Sequence, residues 1–330
     1  MNVPRIRNFT AQDFLMERVL VTGACGQLGS ELSMALAQKY GEHNVIVSDI
    51  SGAVPLIADL PYEQLDVLNR EGLQEIVDNH QITQVYHLAA LLSAKGEQNP
   101  QFAWQLNMDG LINVLEVARQ AKLSQVFWPS SIAAFGAHTE STDTPQYTVM
   151  DPNTIYGISK LSGELWCNYY HQKYGLDVRS VRYPGLISYK APPGGGTTDY
   201  AIEIFHSAIK GEEFKCFLNQ DTRLPMMYMP DAVKAAVDLM AAPSNNLTVR
   251  TSYNIGAVNF TPQEIFEEIR GHFPDFAIHY QPDYRQEIAA TWPRSLDDQW
   301  AQTDWGWQSA YDLPKMTADM ITNLSMSISQ

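Results

Sequence analysis

The sequence predicts an α/β fold built on a doubly wound parallel sheet, and three observations carry that prediction. Short apolar strands alternate with helices from Arg18 to Arg182, so the sheet is covered on both faces. The first strand runs straight into a glycine-rich turn, Gly23-Ala-Cys-Gly26-Gln-Leu-Gly29, that opens a helix. The alternation breaks at Pro184-Gly185, after which the chain leaves for a smaller C-terminal lobe.

Residues 18–22 form a continuous apolar run closed by glycine, the pattern of a buried strand. The helix that follows begins near Gln27 and sets Leu28, Leu32, Ala35 and Leu36 on one face. Residues 44–48 are the second strand. A helix around Arg70–Asn79, a strand at 84–88, a helix over about 101–121 and a strand at 125–129 continue the series. A helix over 154–174 and a strand at 177–182 close it. Right-handed crossovers between such units give a parallel sheet. Residues 226–229 and the helix 231–240 read as returns to it.

Composition narrows the function. A formal charge of −15 disfavours nucleic acid, whose phosphates need a basic surface. No apolar run approaches the ~20 residues that span a bilayer. Residues 1–17 hold no continuous hydrophobic segment, so a signal peptide is not expected. The three cysteines, Cys25, Cys167 and Cys216, are widely spaced and odd in number, which suits the reducing cytoplasm.

A glycine turn between strand and helix lets backbone amides approach a pyrophosphate, whose charge the helix N-terminus favours. The spacing is G-x-x-G-x-x-G, and a merely tight turn would share it. Asp49 ends the second strand twenty residues beyond Gly29, placed to accept hydrogen bonds from ribose hydroxyls and to repel a 2′-phosphate. No arginine follows until Arg70, so NAD is expected in preference to NADP. Asp66-Val67 is an adenine contact or a plain turn.

Tyr156 and Lys160 stand one helical turn apart, placing a phenol and an ammonium on one face. A free tyrosine, with a pKa of ~10, is too weak an acid to lose its proton at neutral pH. An adjacent cation favours phenolate and makes it a general base. Ser131, at the end of the preceding strand, is expected to hold the substrate oxygen, with Ser130 sharing that role or facing the nicotinamide. A second pair, Tyr169 and Lys173, lies on the same helix but is rotated by about 220° from Tyr156. Only one pair can face the site, and Tyr156 is nearer the strand ends. His87 reads as structural. No metal-ligand spacing and no nucleophile elbow are present, so metalloenzyme and hydrolase chemistry are set aside.

The Gly23–Gly29 loop, Asp49, His87-Leu-Ala-Ala90, Asn107, Ser131, Tyr156 and Lys160 together resemble the extended short-chain dehydrogenase/reductase family. That resemblance implies a Rossmann-type NAD-binding domain and Ser–Tyr–Lys chemistry. Carried onto this sequence, the cofactor contacts are Gly23, Gly26, Gln27, Leu28, Gly29, Asp49, Ile50, Asp66, Val67, Leu88, Ala89, Ala90, Asn107, Tyr156, Lys160, Tyr183 and Pro184. An N-terminal arm would cover residues 1–17 and the NAD-binding domain 18–188, with returns near 226–258. The substrate-binding lobe would comprise 189–225 and 259–330.

Four further stretches resemble the L-threonine 3-dehydrogenase branch of that family: Leu91-Leu-Ser93-Ala, Arg182-Tyr-Pro-Gly-Leu-Ile-Ser188, the glycine-rich run from Ala191 to Ala201, and Thr291-Trp-Pro-Arg-Ser-Leu-Asp-Asp298. The resemblance implies oxidation of the L-threonine 3-hydroxyl by NAD to 2-amino-3-ketobutyrate, in threonine catabolism, by a homodimer packed through helices 101–121 and 154–174. Ser93, Thr197 and Trp292 would line the pocket with Ser131 and Tyr156. Their plainer readings are a helix cap, a solvated loop residue and a core anchor. Gly194–Gly196 would hinge a lid, and Arg294 is a candidate partner for the substrate carboxylate. The rival readings are a nucleotide-sugar epimerase or dehydratase on the same scaffold and a non-catalytic NAD-binding regulatory protein.

Overall fold

The structure, a computed structural model, describes residues 17–190, 194 and 196–328. The expected arm at residues 1–16 lies outside the described residues, as do 191–193 and 195 of the glycine-rich run, and with them part of the expected hinge.

The first half runs β1 (Val19–Thr22), α1 (Gln27–Tyr40), β2 (Val45–Asp49), β3 (Tyr62–Gln64), α2 (Arg70–Asn79) and β4 (Gln84–His87). It continues through α3 (Ser93–Gly96), α4 (Pro100–Trp104), α5 (Gly110–Ala121), β5 (Gln125–Phe127), β6 (Ser130–Ser131), α6 (Ile155–Tyr174) and β7 (Val178–Arg179). Six of these strands form a wholly parallel sheet in the order β3-β2-β1-β4-β5-β7. The doubly wound expectation therefore holds.

Side-chain alternation along β1 shows why the sheet is covered twice. Val19 and Val21 face one side, where Leu32 and Leu36 of α1 pack. Leu20 faces the other, against the cluster that holds Leu73 of α2, Leu111 and Leu115 of α5, and Cys167 and Tyr170 of α6. All of these are nearly or fully buried, each worth up to about 1.5–3 kcal/mol on an extended-chain reference.

Beyond the sheet come β8 (Val181–Tyr183), β9 (Gly185–Ile187), α7 (Tyr200–Lys210), β10 (Phe214–Cys216), β11 (Leu224–Tyr228) and α8 (Met229–Ala241). Then follow β12 (Tyr253–Asn254), β13 (Val258–Phe260), α9 (Pro262–Arg270), β14 (Ile278–Tyr280), α10 (Tyr284–Ala289), α11 (Gln299–Trp305) and α12 (Leu313–Ile328). Ala232, Ala235 and Leu239 of α8 pack onto the α1 face of the sheet. A third apolar cluster gathers Tyr200 and Phe205 of α7, Ile265 and Ile269 of α9, Met316 and Met320 of α12, and Trp292, with Tyr156 of α6 against its edge. Tyr156 thus stands at the junction between that cluster and the sheet.

Three local features depart from the expected elements. Strand β3 was not expected; its half-exposed residues carry no apolar run. The helix expected over 101–121 is interrupted by a π-helical turn, Gln105–Asp109. The strand expected over 177–182 divides at Ser180: β7 pairs with β5, whereas β8 pairs with β6 and β12. No described helix is long and apolar enough to cross a membrane.

Candidate active site

The strand order reverses between β1 and β4, so their carboxyl ends open a crevice, the usual ligand position in such sheets. The glycine loop lies there. Gly23 has φ +71°, and a Cβ on it would sit 2.5 Å from the Ala89 backbone nitrogen. A Cβ on Gly29 would lie 2.2 Å from the Gly23 carbonyl, so only glycine lets α1 close against the loop. Gly26, the residue preceding α1, is exposed, and no side chain caps that helix end. The result is an open backbone cradle at the positive end of a helix, which fits a dinucleotide pyrophosphate.

Asp49 anchors this cradle. One carboxylate oxygen accepts from the Cys25 amide at 3.0 Å, and the other accepts from the Ser51 amide and hydroxyl at 3.2 and 3.0 Å. Gln27, Leu28, Leu88, Ala90, Tyr183 and Pro184 line the same cleft, while Ala89 backs Gly23. The Tyr183 hydroxyl is spent on the Ala232 carbonyl at 2.7 Å. Asn107 sits in the π-helical turn, and its amide exchanges hydrogen bonds with both backbone groups of Leu91. It braces the loop after β4. Like Asp49, Ala89 and Asn107, three further expected contacts lie outside that cleft's lining. Ile50 points to solvent, Asp66 accepts from the Leu68 amide in a turn, and Val67 packs in the core beneath Gly110.

The candidate catalytic groups converge at the start of α6, where Thr154 caps the helix by accepting from the Gly157 amide at 3.1 Å. Ser131 stands close enough to Tyr156 to favour its ionised form, and its hydroxyl accepts from the Ala133 amide at 3.2 Å. Lys160 donates from Nζ to the Pro129 carbonyl at 2.5 Å and lies 5.4 Å from the centre of the Tyr156 ring and 4.5 Å from that of Trp128. Burial pushes the Tyr156 phenol up to about 12, outweighing the lowering effect of Ser131. Burial also draws the Lys160 ammonium down to about 7. Desolvation thus overrides the lowering of the tyrosine that the sequence led us to expect.

Ser130 also lines the cleft, but its hydroxyl donates to Glu164 at 2.6 Å, away from Ser131, because neighbouring strand residues point to opposite faces. Glu164 was missed, although it lies four residues beyond Lys160 on the same helix.

Ser93 and Thr197, both buried, approach to 3.5 Å between hydroxyl oxygens and line the cleft with Trp292, Ser131 and Tyr156. Trp292 also belongs to the third apolar cluster, so pocket wall and core anchor are both true of it. Arg294 is exposed and outside the cleft lining. Leu92 and Asp199, which the sequence reading passed over, do line it. Asp199 receives the Gly196 amide at 2.7 Å.

His87 accepts or donates at Nδ1 with Thr22 at 2.7 Å, and its buried Nε2 has no hydrogen-bond partner. Burial, then the Lys160 charge, lowers its pKa to about 3, so it is neutral. Tyr169, by contrast, is exposed and receives Lys173 Nζ at 2.7 Å, on the surface. Among the described residues no group of three or more His, Cys, Asp or Glu is arranged to hold a metal.

Comparison with known proteins agrees with this geometry. Residues 19–256 match the model of the NAD dependent epimerase/dehydratase family. The structure of a GalE-like L-threonine dehydrogenase from Cupriavidus necator, in its holo form, superposes with a TM-score of 0.92 at 57% identity, covering 93% of this chain and 99% of that one. The mitochondrial L-threonine 3-dehydrogenase of Bos taurus is 45% identical over 97% of this chain and 86% of its own length. An uncharacterised epimerase/dehydratase of Staphylococcus haemolyticus is 47% identical over 93% of this chain and 97% of its own.

Proposed function

The chain belongs to the NAD dependent epimerase/dehydratase family, and we propose that its reaction is the oxidation of the L-threonine 3-hydroxyl to 2-amino-3-ketobutyrate with formation of NADH. The observation that carries this reading is the meeting of Ser131, Tyr156 and Lys160 with the Ser93–Thr197 pair in the cleft that the glycine cradle opens.

Residues Gly23, Gly26 and Gly29 would receive the pyrophosphate and Asp49 the adenosine ribose, with NAD favoured because a carboxylate repels a 2′-phosphate. Bound NAD supplies the acceptor for the hydride that leaves C3. Ser131 orients the substrate hydroxyl, and Tyr156 takes its proton. The phenol must first give up its own, which burial resists; the Lys160 ammonium, held by the Pro129 carbonyl, opposes that resistance by favouring phenolate. Because burial brings Lys160 down to about 7, it can also pass a proton on near neutral pH.

A small substrate is supported by the cleft wall. Among the described residues that line it, Lys160 is the one basic side chain, whereas a nucleotide-sugar needs cations for a second diphosphate. Ser93 and Thr197 offer hydroxyls suited to the carboxylate or ammonium of a free amino acid. A binding-only protein would have no chemical use for Ser131, Tyr156 and Lys160 together.

Exposed apolar side chains on α4 and α6, including Phe102, Trp104, Leu165 and Trp166, support a homodimer through that face. Three free cysteines support a reducing, cytoplasmic setting. The decisive assay is NADH formation across a panel of hydroxy amino acids and nucleotide-sugars. L-Threonine should be the best substrate; epimerisation of a UDP-sugar with no NADH from threonine would restore the rival.

A further inference from the structure

Glu164 is 1% exposed, yet its two carboxylate oxygens are fully engaged. One accepts from the Ser130 hydroxyl at 2.6 Å and from Arg182 Nε at 2.9 Å; the other accepts from Arg182 Nη2 at 2.7 Å. Arg182, equally buried, reaches on to the Gln146 carbonyl and the Asn254 side chain. The carboxylate therefore joins three elements directly: its own helix α6, which carries Tyr156 and Lys160; β6, which carries Ser131; and β8, which leads to Tyr183. Backbone pairing between Ser130 and Arg182 and between Ser131 and Tyr183 runs alongside, but β6 is only two residues long. Upstream the Trp128 amide donates to the Arg179 carbonyl at 3.0 Å, and Ser131 Oγ itself accepts from the Ala133 amide at 3.2 Å; the Ser130 hydroxyl adds a buried, charge-assisted restraint to these.

We infer that Glu164, acting through Ser130, is a positioning residue that holds Ser131 against Tyr156. The inference rests on the reading of Ser131 and Tyr156 given above. It explains why two adjacent serines stand here. Successive residues of a strand face opposite sides, so a hydroxyl pulled towards Glu164 at 130 turns the hydroxyl at 131 into the cleft. A charged acceptor makes this a stronger tether than a neutral one, and burial shields it from water. Neither Ser130 nor Glu164 touches the reacting atoms in this account.

The variants are Ser130→Ala, Ser131→Ala and the double variant, measured with Glu164→Gln as a second route to the same tether. Glu164→Gln leaves Arg182 buried without its partner charge and costs folding stability; Ser130→Ala removes a single hydroxyl and leaves that pair intact. Ser130→Ala should lower kcat for L-threonine by about 10–100-fold, the effect of a misplacement of roughly 1 Å, with NAD affinity by calorimetry changed less than about twofold. The double variant should be no slower than Ser131→Ala alone, because a residue that acts only through Ser131 has nothing left to act on. Multiplying losses, or an unchanged kcat in Ser130→Ala, would overturn the inference. Crystal structures of the parent and of Ser130→Ala read it without activity: Ser131 Oγ should lie farther from the Tyr156 hydroxyl in the variant than in the parent, and an unchanged separation would also overturn it. If the parent forms no NADH from threonine, the assignment of substrate fails, while the crystallographic comparison still decides the positioning role.

Discussion

Lys160 Nζ donates to the Pro129 carbonyl at 2.5 Å from a site that is 4% exposed, so the ammonium is paired with a dipole rather than an anion. Glu164 lies four residues further along α6 but spends its oxygens on Ser130 and Arg182. The site keeps a cation under a phenol at the expense of stability.

That cost has a pH signature. Burial lowers the Lys160 pKa from 10.5 to about 7 in the folded chain. Between these values the unfolded chain holds a proton that the folded one lacks, so stability from this group rises with pH across the window. Below about pH 7 both states are charged and the full penalty applies. Lys160→Met should therefore gain stability relative to the parent by an amount on the order of 3–5 kcal/mol more at pH 6 than near pH 10.5. Denaturant melts of both proteins at each pH check this. The constant offset from the orphaned Pro129 carbonyl cancels in the comparison; a pH-independent difference would contradict it.

Tyr156→Phe should lower kcat by about 10²–10⁴-fold and leave NAD affinity within about twofold, since the ring stays and only the hydroxyl goes. Tyr169→Phe should be nearly neutral. The comparison is pointed because Tyr169 has the direct ammonium contact and a pKa lowered by Lys173, yet lies on the surface. Steady-state kinetics and calorimetric NAD titration on the two variants separate acidity from position.

The sequence was legible where local pattern and tertiary packing agree. Val19, Leu20 and Val21 are apolar in succession because both sheet faces are covered, and that needs no structure to read. Tyr156 and Lys160 were readable through helical period. The partner of the Ser130 hydroxyl was not legible because a serine pair looks symmetrical until strand alternation assigns each to a face, and the acceptor, Glu164, is 34 positions away. The same period that paired Tyr156 with Lys160 would have placed Glu164 beside them. The π-helical turn around Asn107 has no composition signal; there one side-chain amide serves both backbone groups of Leu91. Ile50 and Asp66 were carried over by position, and both are exposed.

Cofactor choice should follow Asp49 in two ways. Its carboxylate should disfavour a 2′-phosphate, and it also fixes the glycine loop through the Cys25 amide. Asp49→Ala should weaken NAD several-fold and narrow the gap to NADP, because the repulsion goes but the loop also loosens. Asp49→Asn keeps an acceptor for Cys25 and should retain more NAD affinity than Asp49→Ala while narrowing the gap equally. Equal or better kcat/KM with NADP in the parent would refute the preference.

Substrate selection should depend on the Ser93–Thr197 contact and on the methyl group of threonine. Thr197→Ala removes one of two buried hydroxyls that meet at 3.5 Å across the cleft, so it should raise the KM for L-threonine or lower kcat while NAD affinity holds. L-Serine lacks one methyl, worth about 1–3 kcal/mol in a fitted pocket, and should be about 10–200-fold poorer in kcat/KM. For the parent, kcat/KM should climb with pH above neutrality, because the phenol that must accept the substrate proton is held up to about 12. Lys160 loses charge above about pH 7 and weakens the support for phenolate, so the climb should stay shallower than about tenfold per unit. In Lys160→Met that opposing change is absent; the residual activity, though lower, should approach the full slope. A parent profile falling above pH 7, or a serine rate matching that of threonine, would show that neither this phenol nor this pocket governs turnover.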